Sequence, residues 1–462
     1  MENVTEVLKP YELHYSDLIS LSSSSSSSTS STEIRRLELV TRALMEALGP
    51  TGPGLLTITG VPKVSELCNS LLPLARDLSL LHHHHRKRIL KDHGLGSDVP
   101  LRNLDRRVSS YAMQLKYEHD WDLSKLSHVN YQGLDKHYNR AEDNFNADEY
   151  DHSRDDLFKD LGCSFRQLGL CMMDLGLRVA RICDRAIGGN ELENSLLESG
   201  TAKGRLIHYH SSLDTQIIKE SCGRKGSKKG QKKSEPKSCQ LKDEKNFCRS
   251  EQMHRDGDDG RESERNSDLW QQWHYDYGTF TVLTSPMFIR SKSCQTEKVE
   301  DKCAFNEYEC LSSSENTYLQ IFHPTKNNVY TVKAPPESFI LQVGESADVL
   351  SRQKLRATLH SVSRPVEQGN LSREIFVVFL HPAWHKVFDI SDYPMEQSTL
   401  NNEFGKHEEG PHGDEELKEL TREIHKIIPP LSTRLKDGMT FADFSRETTK
   451  QYYGGNGLQS NR

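Results

Sequence analysis

The sequence predicts an α+β protein with a mainly β core, an antiparallel sandwich, jelly roll or barrel, and a helical N-terminal region packed on it. Three observations predict this. Short β-branched or aromatic segments, each bounded by Gly, Pro or Asn, follow one another closely from Trp273 to Pro382. Apolar stripes at helical spacing come before them, between Ile34 and Ala186. Hydrophobic residues make up only 34% of 462, so polar insertions dilute an otherwise ordinary core.

The length allows two or three domains, or one large domain with additions. A net charge of -7 is mild for this size and does not point to nucleic acid. The start, MENVTEVLKPYELHYSDL, lacks the basic and apolar regions of a signal peptide. No apolar run approaches the roughly 18 residues of a membrane span. The expectation is a cytoplasmic monomer without a membrane partner. Ten cysteines without a C-x-x-C pair fit reduced thiols better than disulfides or a zinc finger.

Residues 1–32 hold an unbroken serine run, Ser22 to Ser28, and are expected to be disordered. An N-terminal α/β region follows over 33–200. Ile34, Leu37, Val40, Leu44 and Leu48 mark a helix stopped by Gly49-Pro50. Leu55 to Val61 reads as a short buried strand, and Val64, Leu67, Leu71, Ala75 and Leu78 as another helical stripe. His82 to His85 reads as a surface helix end, because adjacent residues cannot all face one ion. The longest helix is expected over about 157–187, ending at Gly188-Gly189. The β core is expected over 201–395, interrupted by disordered insertions at about 211–268 and 290–316. The first insertion carries a basic run, Arg224 to Lys237, a candidate nuclear address. A polar loop and C-terminal helices take 396–462, one helix around Glu415 to Ile428 and another capped by Thr440 and Asp443.

The chemistry centres on QQWHYDYGTFTVLT, Gln271 to Thr284. His274 and Asp276 are two apart in a strand and so share a face, their Cα atoms roughly 6.6 Å apart. Chance supplies roughly one H-x-D among this many histidines. The chain has three, at His254, His274 and His412, and only the second heads a strand. Two imidazoles and a carboxylate on one side of an ion leave its other side open, as in non-haem Fe(II) oxygenases. His360, in RATLHSVSRP, is the best third ligand, with His323, His381 and His385 as rivals.

The order RLIHYH, WHYDYGTFTVLT, YLQIF, FILQVGE, LHSVSRP, SREIFVVFLHP resembles the Fe(II)- and 2-oxoglutarate-dependent oxygenases, most closely the plant small-molecule and isopenicillin N synthase-like type. With GPGLLTITGVP, the resemblance covers about two thirds of the chain. It implies a double-stranded β-helix (jelly roll) and an iron site of His274, Asp276 and His360. It further implies that Arg373 grips the far carboxylate of 2-oxoglutarate and that Tyr209 adds a contact to it. The implied reaction couples oxidative decarboxylation of 2-oxoglutarate by O2 to hydroxylation or desaturation of a small organic molecule. The chain departs from the pattern in three places. Ile375 stands where relatives carry a serine, His208 and His210 flank Tyr209 without the usual Asn and Pro, and Gly344-Glu345 replaces Gly-Asp. His208 and His210 are expected to line the pocket or to replace the missing turn, with a second metal as the alternative. The lost serine keeps open a second class, a catalytically weak relative serving as an iron-binding or interaction module.

Overall fold

Strand alternation fixes where the core lies. In β15 (Leu371–Leu380), Ile375 and Val377 join one apolar cluster, while Phe376, Val378 and Leu380 join another. The first cluster also takes Leu319, Ile321, Val332 and Val362 from a second sheet, so two sheets pack face to face. The second cluster lies between the outer face of the larger sheet and the helices.

The computed structural model describes residues 6–23, 30–117 apart from 102 and 105, 156–223, 269–291, 308–311, 316–365 apart from 324, 370–394, and 422–453 apart from 423 and 425. The chain opens with β1 (Glu6–Leu8), β2 (Tyr11–His14), α1 (Tyr15–Ser22), α2 (Ser31–Leu48) and β3 (Leu55–Thr59). Next come α3 (Val64–Leu71), α4 (Pro73–Leu80), α5 (His83–Asp92), β4 (Gly96–Ser97) and β5 (Val108–Lys116). Then α6 (Leu161–Ile187), α7 (Glu191–Ser199), β6 (Thr201–Tyr209) and α8 (Ser212–Gly223) lead to β7 (Leu269–His274), β8 (Phe280–Thr284), β9 (Met287–Ser291) and β10 (Tyr308–Leu311). β11 (Asn316–His323), β12 (Asn328–Lys333), β13 (Phe339–Val343), α9 (Glu345–Leu350), β14 (His360–Ser363), β15, α10 (Leu431–Arg434) and α11 (Phe441–Tyr453) complete it. The smaller sheet runs β1-β12-β11-β14-β7 and the larger β2-β3-β13-β8-β15-β6-β5-β4, with β9 pairing β15 and β10 pairing β9.

Local chemistry accounts for the helix ends. Ser30 caps α2 by accepting the Glu33 N–H at 3.3 Å. The single stripe expected from Val64 to Leu78 is two helices, because Pro73 breaks the ladder and opens α4. α6 ends where Gly188 turns to φ 85°, a left-handed conformation that suits glycine. Gly176 lets α6 approach the sheet, since a Cβ there would strike Leu380. At α11 the expected cap is present: Thr440 Oγ1 accepts the Asp443 N–H at 3.2 Å.

Three expectations of disorder are corrected in part. Residues 6–22 form β1, β2 and α1 rather than a disordered start, because β1 and β2 pair in parallel with β12 and β3. In 211–268, Ser212–Gly223 is helical, and in 290–316 a strand forms over Tyr308–Leu311. Residues 24–29, the basic run 224–237, His254, His412 and the part up to residue 421 of the helix expected around Glu415 to Ile428 lie outside the described residues. β5 went unread in the sequence because its flanks are polar, yet it pairs along its whole length with β6.

His208 and His210 do not line the inter-sheet space. β6 turns Ile207 and Tyr209 inward, so His208 faces the helices. Its Nδ1 lies 2.9 Å from Glu374 and its Nε2 3.6 Å from Asp214, which Arg76 pairs at 2.9 Å. His210 Nε2 meets Ser109 Oγ at 2.9 Å. The turn that lacks a proline is built by a capping box instead. Asp214 N–H donates to Ser211 Oγ at 3.0 Å, and Ser211 N–H donates back to Asp214 at 3.1 Å.

Asp77 of α4 is buried in this same layer, and burial pushes its carboxyl up from 3.8 to about 6. The folded state then holds the proton more tightly than the unfolded one, so stability falls as pH rises from about 4 to 6 and stays low above. Asp77→Asn is therefore expected to raise Tm at pH 7.5, by at most about 3 kcal/mol of stability, with no gain below about pH 4. Thermal melts of both proteins across that range check the sign.

Candidate metal centre

β7 ends on His274 and β14 begins on His360, and the two are Cα partners across the antiparallel pair. Their ring centroids lie 4.2 Å apart. Asp276, two residues on, brings Oδ1 within 3.7 Å of His274 Nε2 and Oδ2 within 3.9 Å of His360 Nε2. One ligand atom from each residue falls within 4.8 Å of the others, close enough for all three to hold one ion. Among the described residues this is the one such trio.

The backbone orients both rings. His274 Nδ1 lies 2.8 Å from the Gln272 carbonyl and His360 Nδ1 3.0 Å from the Thr358 carbonyl. A carbonyl only accepts, so each Nδ1 carries a proton, which leaves Nε2 of each ring, facing the shared centre, as the atom whose lone pair can bind a metal. Burial and the neighbouring His360 hold His274 well below the usual histidine range, which keeps that lone pair available at neutral pH. Thr281 Oγ1 donates to Asp276 Oδ2 at 2.6 Å and fixes the carboxylate.

The loop behind Asp276 is gripped from the start of α9. Glu345 N–H donates to the Asp276 carbonyl at 2.8 Å and Ser346 N–H to the Gly278 carbonyl at 3.0 Å. A Cβ at Gly344 would run into the Gly278 carbonyl oxygen, backbone against backbone. Gly344→Ala is expected to displace Asp276 and weaken metal affinity by about tenfold to 100-fold, the range seen when a ligand's support is lost. Metal titration of folded protein checks this; unchanged affinity would show that the loop adapts.

A deep cavity of about 60 Å³ lies beside the cluster, and a wider one of about 660 Å³ opens from it. Both are lined by Gln271, His274, Asp276 and Arg205. Tyr209 and Arg373, paired across β6 and β15, line the deep one. Arg373 is 2% exposed, donates Nε–H to the Thr317 carbonyl at 3.0 Å and sits 5.0 Å from the Tyr209 ring. No carboxylate pairs with it among the described residues, because Glu374 faces the helices. Gln342, 1% exposed, also lines this cavity and has no hydrogen-bond partner for either amide atom. Gln271 bridges the two ends: its Oε1 accepts from Tyr209 Oη at 2.7 Å, and its Nε2 meets His274 Nε2 at 2.9 Å.

The five residues singled out in the sequence therefore meet at one place. The rivals do not. His323 bonds Thr325 at the end of β11, His381 stacks on Phe441, and exposed His385 pairs with Glu198. Sequence reasoning missed Thr281, Gln271, Gln342 and Arg205. Alternation offered a signal for two of them: Thr281 shares a face with Leu283, and Gln342 is the lone polar residue within FILQV. Ile375 lines the deep cavity with no hydroxyl to offer.

No family model and no curated protein matches the chain. Solved structures do. A full-length Neurospora crassa protein, in complex with alpha-KG and 5-formyluracil, is similar at 12% identity and a TM-score of 0.43, covering 91% of this chain and 97% of its own. JOX2 with 2OG, Fe and JA is similar at 11% identity and a TM-score of 0.42, covering 84% and 79%. The dioxygenase for auxin oxidation 1 of Arabidopsis thaliana, with 2-oxoglutarate, stands at 11% identity and 0.40, covering 81% and 92%. Likenesses of this size leave the functional reading to the geometry of His274, Asp276 and His360.

Proposed function

We propose that the chain is an Fe(II)- and 2-oxoglutarate-dependent oxygenase, built on a double-stranded β-helix, that acts on a C–H bond of a small organic molecule. One observation carries the reading. A His-Asp-His trio stands where a deep cavity, floored by a buried guanidinium without a carboxylate partner, meets a wider one. A buried cation needs a counter-charge, and a planar guanidinium meets a carboxylate with two parallel hydrogen bonds. A dicarboxylate that also reaches the trio satisfies both ends.

In this reading His274, Asp276 and His360 would hold Fe(II). Iron with 2-oxoglutarate and O2 supplies the oxidising power, with succinate and CO2 as co-products. The protein's part is position and charge. Arg373 would hold the distal carboxylate, Tyr209 would join it once its hydroxyl turns from Gln271 Oε1, and the Gln342 amide faces the same cavity. Gln271 would have to give up His274 Nε2 for a metal to bind there, because one lone pair cannot serve both. Thr281 holds the Asp276 carboxylate in place.

Purified protein given Fe(II), 2-oxoglutarate and air is expected to form succinate, and His274→Ala to abolish both succinate formation and Fe(II) retention. Iron retention without succinate would favour the second class, an iron-binding relative of low activity, for which Ile375 speaks. Absence of iron binding would overturn the proposal.

A further inference from the structure

Arg205 stands at the junction of the two cavities and lines both. β6 alternation turns it inward with Ile207 and Tyr209. Its Nε donates to Asp98 Oδ2 at 2.7 Å, and the other oxygen of Asp98 takes Lys203 Nζ at 2.9 Å. One carboxylate thus serves two cations, leaving a positive charge unbalanced. The two terminal amino groups of Arg205 make no hydrogen bond among the described residues, and its side chain is 16% exposed. Its Cζ sits 4.7 Å from the Phe379 ring centre, which fixes the plane of the guanidinium.

The outer cavity, about 660 Å³, falls in the range of small-molecule sites. Phe379, Trp384 and Tyr452 contribute aromatic surface to its wall, and His274 and Asp276 contribute the edge nearest the trio. A flat apolar body fits against such rings. An unspent guanidinium fork selects a planar carboxylate over a neutral group of the same shape.

We infer that the substrate is a small organic acid whose carboxylate docks on the Nη groups of Arg205 and whose flat apolar body lies against Phe379, Trp384 and Tyr452. The anion site stands on its own; only the statement that this ligand is the one oxidised rests on the oxygenase reading.

The test uses the full-length protein and matched pairs, phenylacetate with phenylacetamide and naphthoate with naphthamide, by calorimetry and thermal shift. At least one acid is expected to bind about tenfold tighter than its amide, the scale of a charge-assisted hydrogen bond. Arg205→Gln should erase that preference and Arg373→Gln should leave it. Asp98→Asn removes the internal competitor and should tighten the acids several-fold while leaving the amides unmoved, which keeps the test alive if Arg205→Gln fails to fold. The inference is overturned if no acid outbinds its amide, if the preference survives Arg205→Gln, or if it depends on Arg373 instead. Succinate formation on the same preparations is scored separately. Turnover without acid preference sinks this inference alone, and acid preference without turnover sinks only the oxygenase reading.

Discussion

Arg373→Met is expected to raise the KM for 2-oxoglutarate by about 100-fold, the loss of a bidentate, charge-assisted pair in a desolvated site, with Fe(II) binding unchanged. The guanidinium is buried against the Thr317 carbonyl and the Tyr209 ring, and burial itself lowers its pKa. A residue kept for stability would not be left so. Taking a buried charge without a carboxylate partner out of the core removes a desolvation cost, so Tm should hold or rise. That separates the two roles. A structural arginine would lose Tm and leave KM alone; a cosubstrate arginine would do the opposite. Succinate formation against 2-oxoglutarate concentration, paired with thermal melts, reads both. An unchanged KM would remove 2-oxoglutarate from this end of the cavity.

His274, Asp276 and His360 were legible in the sequence as residue types at a metal-ligand spacing, but the strand expected to begin at His274 ends there. His274 closes β7, Asp276 lies in the loop beyond it, and His360 opens β14 as the cross-strand partner of His274. Arg373 and Tyr209 came through the resemblance and proved to be cross-strand partners. What stayed hidden depends on pairing between distant segments. β5 is polar at both ends, and only its match along β6 makes it a strand. Asp98 meets Lys203 and Arg205 across more than a hundred residues of chain, and nothing near Asp98 in the sequence announces it. The histidines beside Tyr209 were misplaced for a simpler reason. Sharing a face was read correctly, but which face looked inward depended on Tyr209, whose inward turn sends His208 outward.

Arg434→Met is expected to cost about 3–5 kcal/mol of stability, the penalty for leaving one member of a buried ion pair alone. Arg434 is 1% exposed and meets both oxygens of Glu345, from Nη1 at 2.7 Å and from Nη2 at 2.5 Å. It also reaches Thr448 Oγ1 at 3.2 Å and the Pro429 carbonyl at 3.0 Å. One guanidinium therefore ties α10 and α11 to the start of α9. Glu345 is the residue whose N–H holds the Asp276 carbonyl, while Thr448, Thr449 and Tyr452 of α11 wall the outer cavity. The glutamate that departs from the Gly-Asp pattern thus joins the metal loop to the C-terminal wall. Removing both charges, Glu345→Gln with Arg434→Met, should cost less than Arg434→Met alone, because no orphaned carboxylate remains. Hydrogen exchange should rise first in 431–453, where the remaining hold is the apolar cluster of Phe388, Phe441 and Phe444 with the backbone bonds that join residues 438–442 to Trp384, Lys386 and Phe388. If the single and double variants melt alike, the pair is not coupled, and the apolar cluster and the backbone bonds to 384–388 fasten the segment.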